Sequence, residues 1–386
     1  MGRATSVLLR RSPLGFDSDL CDAMHGGVTD ASYQESILPL VSRTFALTIP
    51  ELPQPLSGVV TTAYLLCRIA DTIEDEPHIA SPMKFALLER FAACVGGKDD
   101  PQQLAHEIAA RLSDHTLPAE RDLVGNLDRI VRLLRSLRPG VRRAIERCLR
   151  IMCRGMYRYQ ENASLSGLER MQDLDTYCYV VAGCVGEMLT ALFCAHSIEC
   201  ARKGPQLMSL AASFGQGLQM TNILKDIWED RGRGACWLPR EVFRRYRLDV
   251  GALPSGHDSA AFAAGLRELV GIAHAHLRNA FSFALAIPPQ QPGIRRFCLL
   301  AIGMALLTLR KIHHNPGFSG GAQVKIARSA VFTTKVLTDV AVQRDWMLKL
   351  LFEQAAHGVP LQHVALRSNP LASHALRDGA RARFTK

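Results

Sequence analysis

Asp71 and Asp75 stand four residues apart at the end of the segment Tyr64-Leu-Leu-Cys-Arg-Ile-Ala-Asp71-Thr-Ile-Glu-Asp75. On a helix that spacing puts both carboxylates on one face, where like charges cost about 0.2–0.5 kcal/mol unless a cation lies between them. A second group, Asn222, Asp226 and Asp230, steps by four again, with Lys225 and Glu229 beside it. Both groups sit among apolar residues, such as Ile223, Leu224, Ile227 and Trp228. Hard oxygen donors without histidine or cysteine suit Mg²⁺, with Mn²⁺ as a substitute, shared with the phosphates of a substrate. Facing each other, two such stripes would stabilise a departing diphosphate. The bland alternative is a pair of solvated acidic turns. One D-x-x-x-D favours that alternative; two on apolar helices do not.

Other combinations carry less. His313-His314 and His274-x-His276 lack the matching cysteine or carboxylate spacing of a zinc site and read as core or surface histidines. Gly215-x-Gly217 follows no strand, so it is no dinucleotide fingerprint.

The elements that must position these acids read as helices. Apolar residues recur at helical spacing, strand signals are missing, and aromatics are only 6% of the chain. Eleven helices are expected, at roughly 32–49, 56–75, 82–95, 101–114, 119–137, 139–163, 173–200, 204–230, 258–286, 293–314 and 329–356. Prolines and glycines punctuate the breaks, and none is a long linker. The fold class expected is therefore all-α, with one catalytic domain over 31–358, a poorly packed N-terminal arm at 1–30 and a basic polar tail at 359–386. Ala182, Gly183, Gly186 and Ala191 let one helix approach another closely, or leave room for a ligand.

A net charge of +10 suits a polyanionic partner. Neither basic stretch, Arg132 to Arg158 or Arg367 to Lys386, interleaves aromatics, so nucleic acid is not expected as a partner. A solvated basic face or peripheral contact with anionic lipid headgroups remains. Eleven cysteines without C-x-x-C pairing indicate reduced thiols. No secretory signal and no apolar run of about 18 residues is seen, so the expectation is a cytoplasmic protein without a transmembrane helix.

At the two aspartate groups the sequence closely resembles the squalene and phytoene synthase family of head-to-head prenyl transferases, from about Ser42 to Val340. Ser42-Arg43-Thr44-Phe45 is similar to the family's S-R-S/T-F motif. Tyr64 to Asp75 and Asn222 to Asp230 match its first and second aspartate motifs. Tyr177-Cys-Tyr-Val-Val-Ala-Gly183-Cys-Val-Gly186 resembles its Y-C-x-x-V-A-G-x-V-G stretch. The resemblance implies the all-α type I isoprenoid synthase bundle with a central cavity. It implies Mg²⁺ on Asp71, Asp75, Asp226 and Asp230, and diphosphate oxygens on Arg43, Arg68, Lys225 and Arg233. Tyr177 becomes the acid/base candidate beside the cation. Phe45, Gln219, Asn222 and Phe297 would line the substrate site.

Within the family, Phe297-Cys-Leu-Leu-Ala-Ile-Gly-Met304-Ala-Leu-Leu-Thr308-Leu309 resembles a squalene synthase segment. Val324-Lys325-Ile326-Ala327-Arg328 resembles its V-K-I-R-K stretch, which implies NADPH contacts at Lys325 and Arg328, with Tyr64 and Asn222 also assigned to cofactor. The implied reaction joins two farnesyl diphosphates through presqualene diphosphate to squalene. Alternatives are a synthase of presqualene diphosphate, dehydrosqualene or phytoene without the reductive step, and a non-catalytic relative acting in assembly. Three departures stand out: Lys225 where many members have Arg, Ala235 where Arg is common, and Ala327 where the stretch is basic. The C-terminal membrane helix of eukaryotic squalene synthases is not expected in this tail.

Overall fold

The computed structural model describes residues 29–42, 44–161, 163–254, 256–257 and 259–364. Among them there is no strand, only one isolated bridge between Leu168 and Pro239. The first half runs through α1 (Asp30–Val41), α2 (Phe45–Thr48), α3 (Leu56–Asp75), α4 (Ser81–Val95), α5 (Pro101–Ala109), α6 (Pro118–Gly125), α7 (Leu127–Ser136) and α8 (Pro139–Glu161). Next come α9 (Met171–Cys178), α10 (Cys184–His196), α11 (Ile198–Arg202), α12 (Gly204–Lys225), α13 (Ile227–Gly232) and α14 (Arg240–Arg244). The chain closes with α15 (Ala260–Ala286), α16 (Pro292–His314), α17 (Gly321–Val324), α18 (Arg328–Ala341) and α19 (Asp345–Ala356).

The expected helices are present, but several are broken where the site needs it. The helix expected at 173–200 carries a π-helical turn at Tyr179–Gly183 between α9 and α10. Such turns shift the side chains that follow by a fraction of a turn and recur at functional sites. The helix expected at 204–230 bends at Asp226, whose φ of −101° and ψ of 19° leave the helical region. Its N–H still bonds Asn222 O, and Asp230 N–H bonds Asp226 O, so the acid stripe continues across the bend. The expected 32–49, 119–137 and 329–356 each divide, between Val41 and Phe45, at Asn126 and between Ala341 and Asp345, and the expected 173–200 also breaks at Ser197.

α3 illustrates how packing overrides propensity. Val59-Val60-Thr61-Thr62 is a β-branched run that weakens an isolated helix. Here Val59, Val60, Leu65, Leu66, Ile69 and Ile73 are buried, each such side chain contributing about 1.5–3 kcal/mol. The buried hydroxyls of Thr61 and Thr72 donate to the carbonyls of Ser57 and Arg68, which satisfies them within the helix, whereas Ser57 Oγ and Arg68 Nε are buried without a partner.

The small residues of α10 serve close approach. A Cβ added at Gly186 would lie 2.0 Å from Ala211 O, and one at Gly215 would lie 1.9 Å from Ala182 O. The two backbones therefore touch, and α12 meets α15 less closely at Gly217, where an added Cβ would lie 3.1 Å from Leu277 N.

Two expectations change. α3, the segment Met171–His196 and α16 are each long and apolar enough to cross a membrane by length and composition, which overturns the reading of a cytoplasmic chain with no transmembrane-capable helix. Isolated charged residues interrupt each of these apolar stretches in the sequence, and burial against other helices accommodates them. In this fold 78%, 56% and 67% of their apolar windows are buried against other helices. The basic stretch is also less free than its sequence suggests. Arg132 pairs with Asp30 and Asp128, Arg142 with Glu146, Arg147 with Glu187, and Arg154 with Glu89. None of the ten described cysteines forms a disulfide.

Candidate active site

The C-terminal end of α3 and the α12–α13 bend face one another. Arg233, just past α13, decides this: its guanidinium lies 2.6 Å from Asp230 and 3.8 Å from Asp75. One cation thus spans the two acid groups that the sequence separates by 155 positions (230 minus 75). Arg68 approaches Asp71 at 3.6 Å and is held by Glu120 of α6. Lys225 pairs with Asp226 at 3.0 Å.

Burial sets the charge state of these acids. The Asp71 carboxyl is pushed up to about 7 by desolvation, against the pull of Arg68 and with help from Asp75. Desolvation, opposed by Arg233, raises Asp230 to about 6. Glu74, between the two aspartates of α3, rises to about 8 through burial and the repulsion of Asp75 and Asp71. A single side-chain donor, Gln160 Nε2 at 2.9 Å, meets it. Too few cations serve too many carboxylates.

Tyr177 of α9 is buried and stacks on Trp237, with ring centroids 4.3 Å apart and planes at 16°. Tyr159 leans on its other side at 5.0 Å. Burial, then the negative charge of Glu74, Asp230 and Asp75, pushes its phenol well above the usual tyrosine range. The loop carrying Trp237 is pinned by Cys236 N–H donating to Ser164 O and Leu168 N–H donating to Leu238 O, while Arg231 donates to Val250 O and Leu253 O at 2.8 Å each. The two arginines at the end of α13 divide the work: Arg231 holds backbone, and Arg233 reaches the acids.

The remaining predicted residues spread around this centre. Gln219 is partly buried and Asn222 exposed on the last two turns of α12. Phe45 and Tyr64 pack together at 4.9 Å, two turns down α3 from Asp71, where Tyr64 Oη donates to Val41 O. Phe297 is buried edge-on against Phe193. Lys325 and Arg328 are exposed and make no side-chain bond to the acids. The segment before them does touch the site: Gly321 N–H donates to Glu229 at 2.7 Å, and a Cβ there would lie 3.0 Å from Asp226 Oδ1. Arg43 lies outside the described residues.

Sequence reasoning missed Glu74, Gln160, Tyr159, Trp237 and Glu120 as neighbours of the acids. Glu74 alone left a signal, a third carboxylate inside the motif. The others come from distant segments whose proximity is purely tertiary.

Among the described residues no three histidine, cysteine or acidic side chains converge on one point. The acids line two walls, with an arginine standing between them. That arrangement fits a divalent ion shared with a substrate's phosphate oxygens better than a protein-only cage.

A family model described as squalene/phytoene synthase matches residues 38–330. The chain belongs to the squalene/phytoene synthase family. Among curated members, the squalene synthase of Candida albicans is 30% identical over 317 residues, 79% of this chain and 68% of that protein. The squalene synthase of Cyberlindnera jadinii is 31% identical over 288 residues, 72% of this chain and 61% of that protein. The match thus spans just under or just over two thirds of these relatives' length. A solved ligand complex of TcSQS shares the fold, with a TM-score of 0.68 over 92% of this chain and 98% of that one, at 24% identity. The family fold is all-helical, as the site requires.

Proposed function

We propose that this family member is a squalene synthase, joining two farnesyl diphosphates head to head and reducing the product. The observation that carries the reading is the convergence of Asp75 and Asp230 on one arginine. Two acid walls short of cations are what a diphosphate-releasing site needs.

In this reading Asp71 and Asp75 face Asp226 and Asp230 across the diphosphate. Mg²⁺ held by these oxygens would supply Lewis-acid stabilisation of the departing diphosphate, and NADPH would supply the hydride that ends the sequence. Arg233 and Arg68 donate to diphosphate oxygens, with Lys225 as a point charge beside Asp226. The first C–O bond breaks, and the allylic cation alkylates the second molecule's double bond. Loss of a proton then closes the cyclopropane. Tyr177 keeps its own proton at neutral pH, so it orients and relays through its hydroxyl rather than acting as a phenolate. Loss of the second diphosphate, rearrangement and hydride uptake give squalene. The apolar walls from α3, α10 and α12 keep water from the cation, which would otherwise be trapped as an alcohol.

One observation favours a second reading without reduction. Lys325 and Arg328 are solvent-exposed and Ala327 interrupts the basic run, so little grips a nicotinamide cofactor's phosphates. Product analysis with Mg²⁺ and farnesyl diphosphate, with and without NADPH, separates the two. Squalene formed only with NADPH is expected. A product independent of NADPH, or a forty-carbon product from geranylgeranyl diphosphate, would replace this reading by the phytoene- or dehydrosqualene-type alternative.

A further inference from the structure

A buried polar chain lies behind Tyr177, on the far side of α9 from the acids. His276 of α15 is 2% exposed, with Nδ1 3.1 Å from Ser213 Oγ of α12 and Nε2 3.4 Å from Asp175 Oδ1 of α9. Asn279 donates to the same Ser213 oxygen at 3.3 Å. Gln216 of α12 donates to both the carbonyl and the carboxylate of Asp175, each at 3.1 Å. Asn279 and His276 thus meet at the Ser213 hydroxyl, whereas His276 Nε2 faces the Asp175 carboxylate at 3.4 Å as a close polar contact without hydrogen-bond geometry.

Serine, histidine and aspartate in sequence suggest a nucleophile, but Ser213 is 5% exposed and enclosed by α12 and α15, so no substrate reaches it. The chain must act by holding something. α9 runs straight through the π turn into α10 as one helical segment, so its rotation is set by what packs against it. Asp175 and Tyr177 lie two residues apart, so they leave α9 on opposite faces. Fixing Asp175 from behind fixes how the Tyr177 ring meets Trp237 and the acids in front.

We propose that His276 is a positioning residue for Tyr177, acting through Asp175 and the rotation of α9. This rests on the squalene synthase reading for its kinetic consequence, but not for its structural one. His276→Phe keeps the bulk and removes both polar contacts, whereas His276→Gln can accept from Ser213 and donate to Asp175. Expected for His276→Phe is a loss of about tenfold or more in kcat for diphosphate release, with KM within about threefold. His276→Gln should recover most of that loss. In a Tyr177→Phe background, His276→Phe should add nothing further. The indole N–H resonance of Trp237, assigned with Trp237→Phe, should move in His276→Phe and return in His276→Gln. Wild-type kcat in His276→Phe, or an unmoved indole resonance in a folded variant, would overturn the proposal. A wild-type protein that releases no diphosphate would sink the functional reading, while the indole resonance would still decide the positioning role.

Discussion

Glu74 and Glu76 are separated by one residue at the end of α3, and the fold treats them in opposite ways. Glu76 is sealed from solvent and receives donors from Ser113 N–H, Ser113 Oγ, Thr116 Oγ1 and His78 N–H, all within 3.0 Å. Burial alone would raise its pKa, but those donors outweigh it and hold the carboxyl down at about 2. Glu74 faces Asp71 and Asp75 with one amide donor and rises to about 8. The difference is in what neighbours supply. Where a carboxylate is structural, the protein completes its hydrogen bonds. Where it belongs to the site, the protein withholds them and leaves the charge for a ligand to satisfy.

The largest way to break this comparison is to neutralise one acid of each kind. Asp71→Asn or Asp226→Asn should lower diphosphate release by about 100-fold or more, the scale of losing one preorganised charge contact. Stability, read by thermal unfolding, should hold or rise, because a repelled charge is removed. Glu76→Gln should do the reverse, costing about 1–3 kcal/mol of stability by stranding its donors while activity per folded molecule survives. Wild-type-like turnover in both aspartate variants would remove the site assignment.

A pH series sharpens the contrast. Asp71, Glu74 and Asp230 hold protons in the folded state at pH values where the unfolded chain has lost them, so the unfolded state binds fewer protons. Their contribution to stability is full below about pH 4 and is lost as pH rises through about 6 to 8. Without divalent ions, the melting temperature should fall across that window, and added Mg²⁺ should restore it more at pH 8 than at pH 5. Glu76 acts the other way: its contribution is present above its unfolded value of 4.5 and lost as pH falls towards 2.

The smallest effect is expected at Arg233, whose side chain is 61% exposed and screened by solvent. Arg233→Gln should raise KM for the diphosphate substrate by about threefold to tenfold, with little change in melting temperature. The Mg²⁺-induced rise in melting temperature should exceed that of wild type, since Asp75 and Asp230 have lost their shared cation. An unchanged Mg²⁺ response would mean the two acids do not share a site.

Spacing and residue type determined much of this by themselves. Periodicity made the chain helical, the four-residue steps placed Asp71 with Asp75 and Asp226 with Asp230, and the small residues around Gly186 allowed a close helix approach. Those are local properties, read within one or two helical turns. The tertiary structure decided what local patterns cannot encode. It bent the chain at Asp226, inserted the π turn behind Tyr177, brought Arg233 between two distant acids, and set Glu76 apart from Glu74. It also drew three interrupted apolar stretches into single helices long enough to cross a membrane. Burial and donor count depend on which segments arrive from elsewhere in the chain, and those arrivals set the charge of the site.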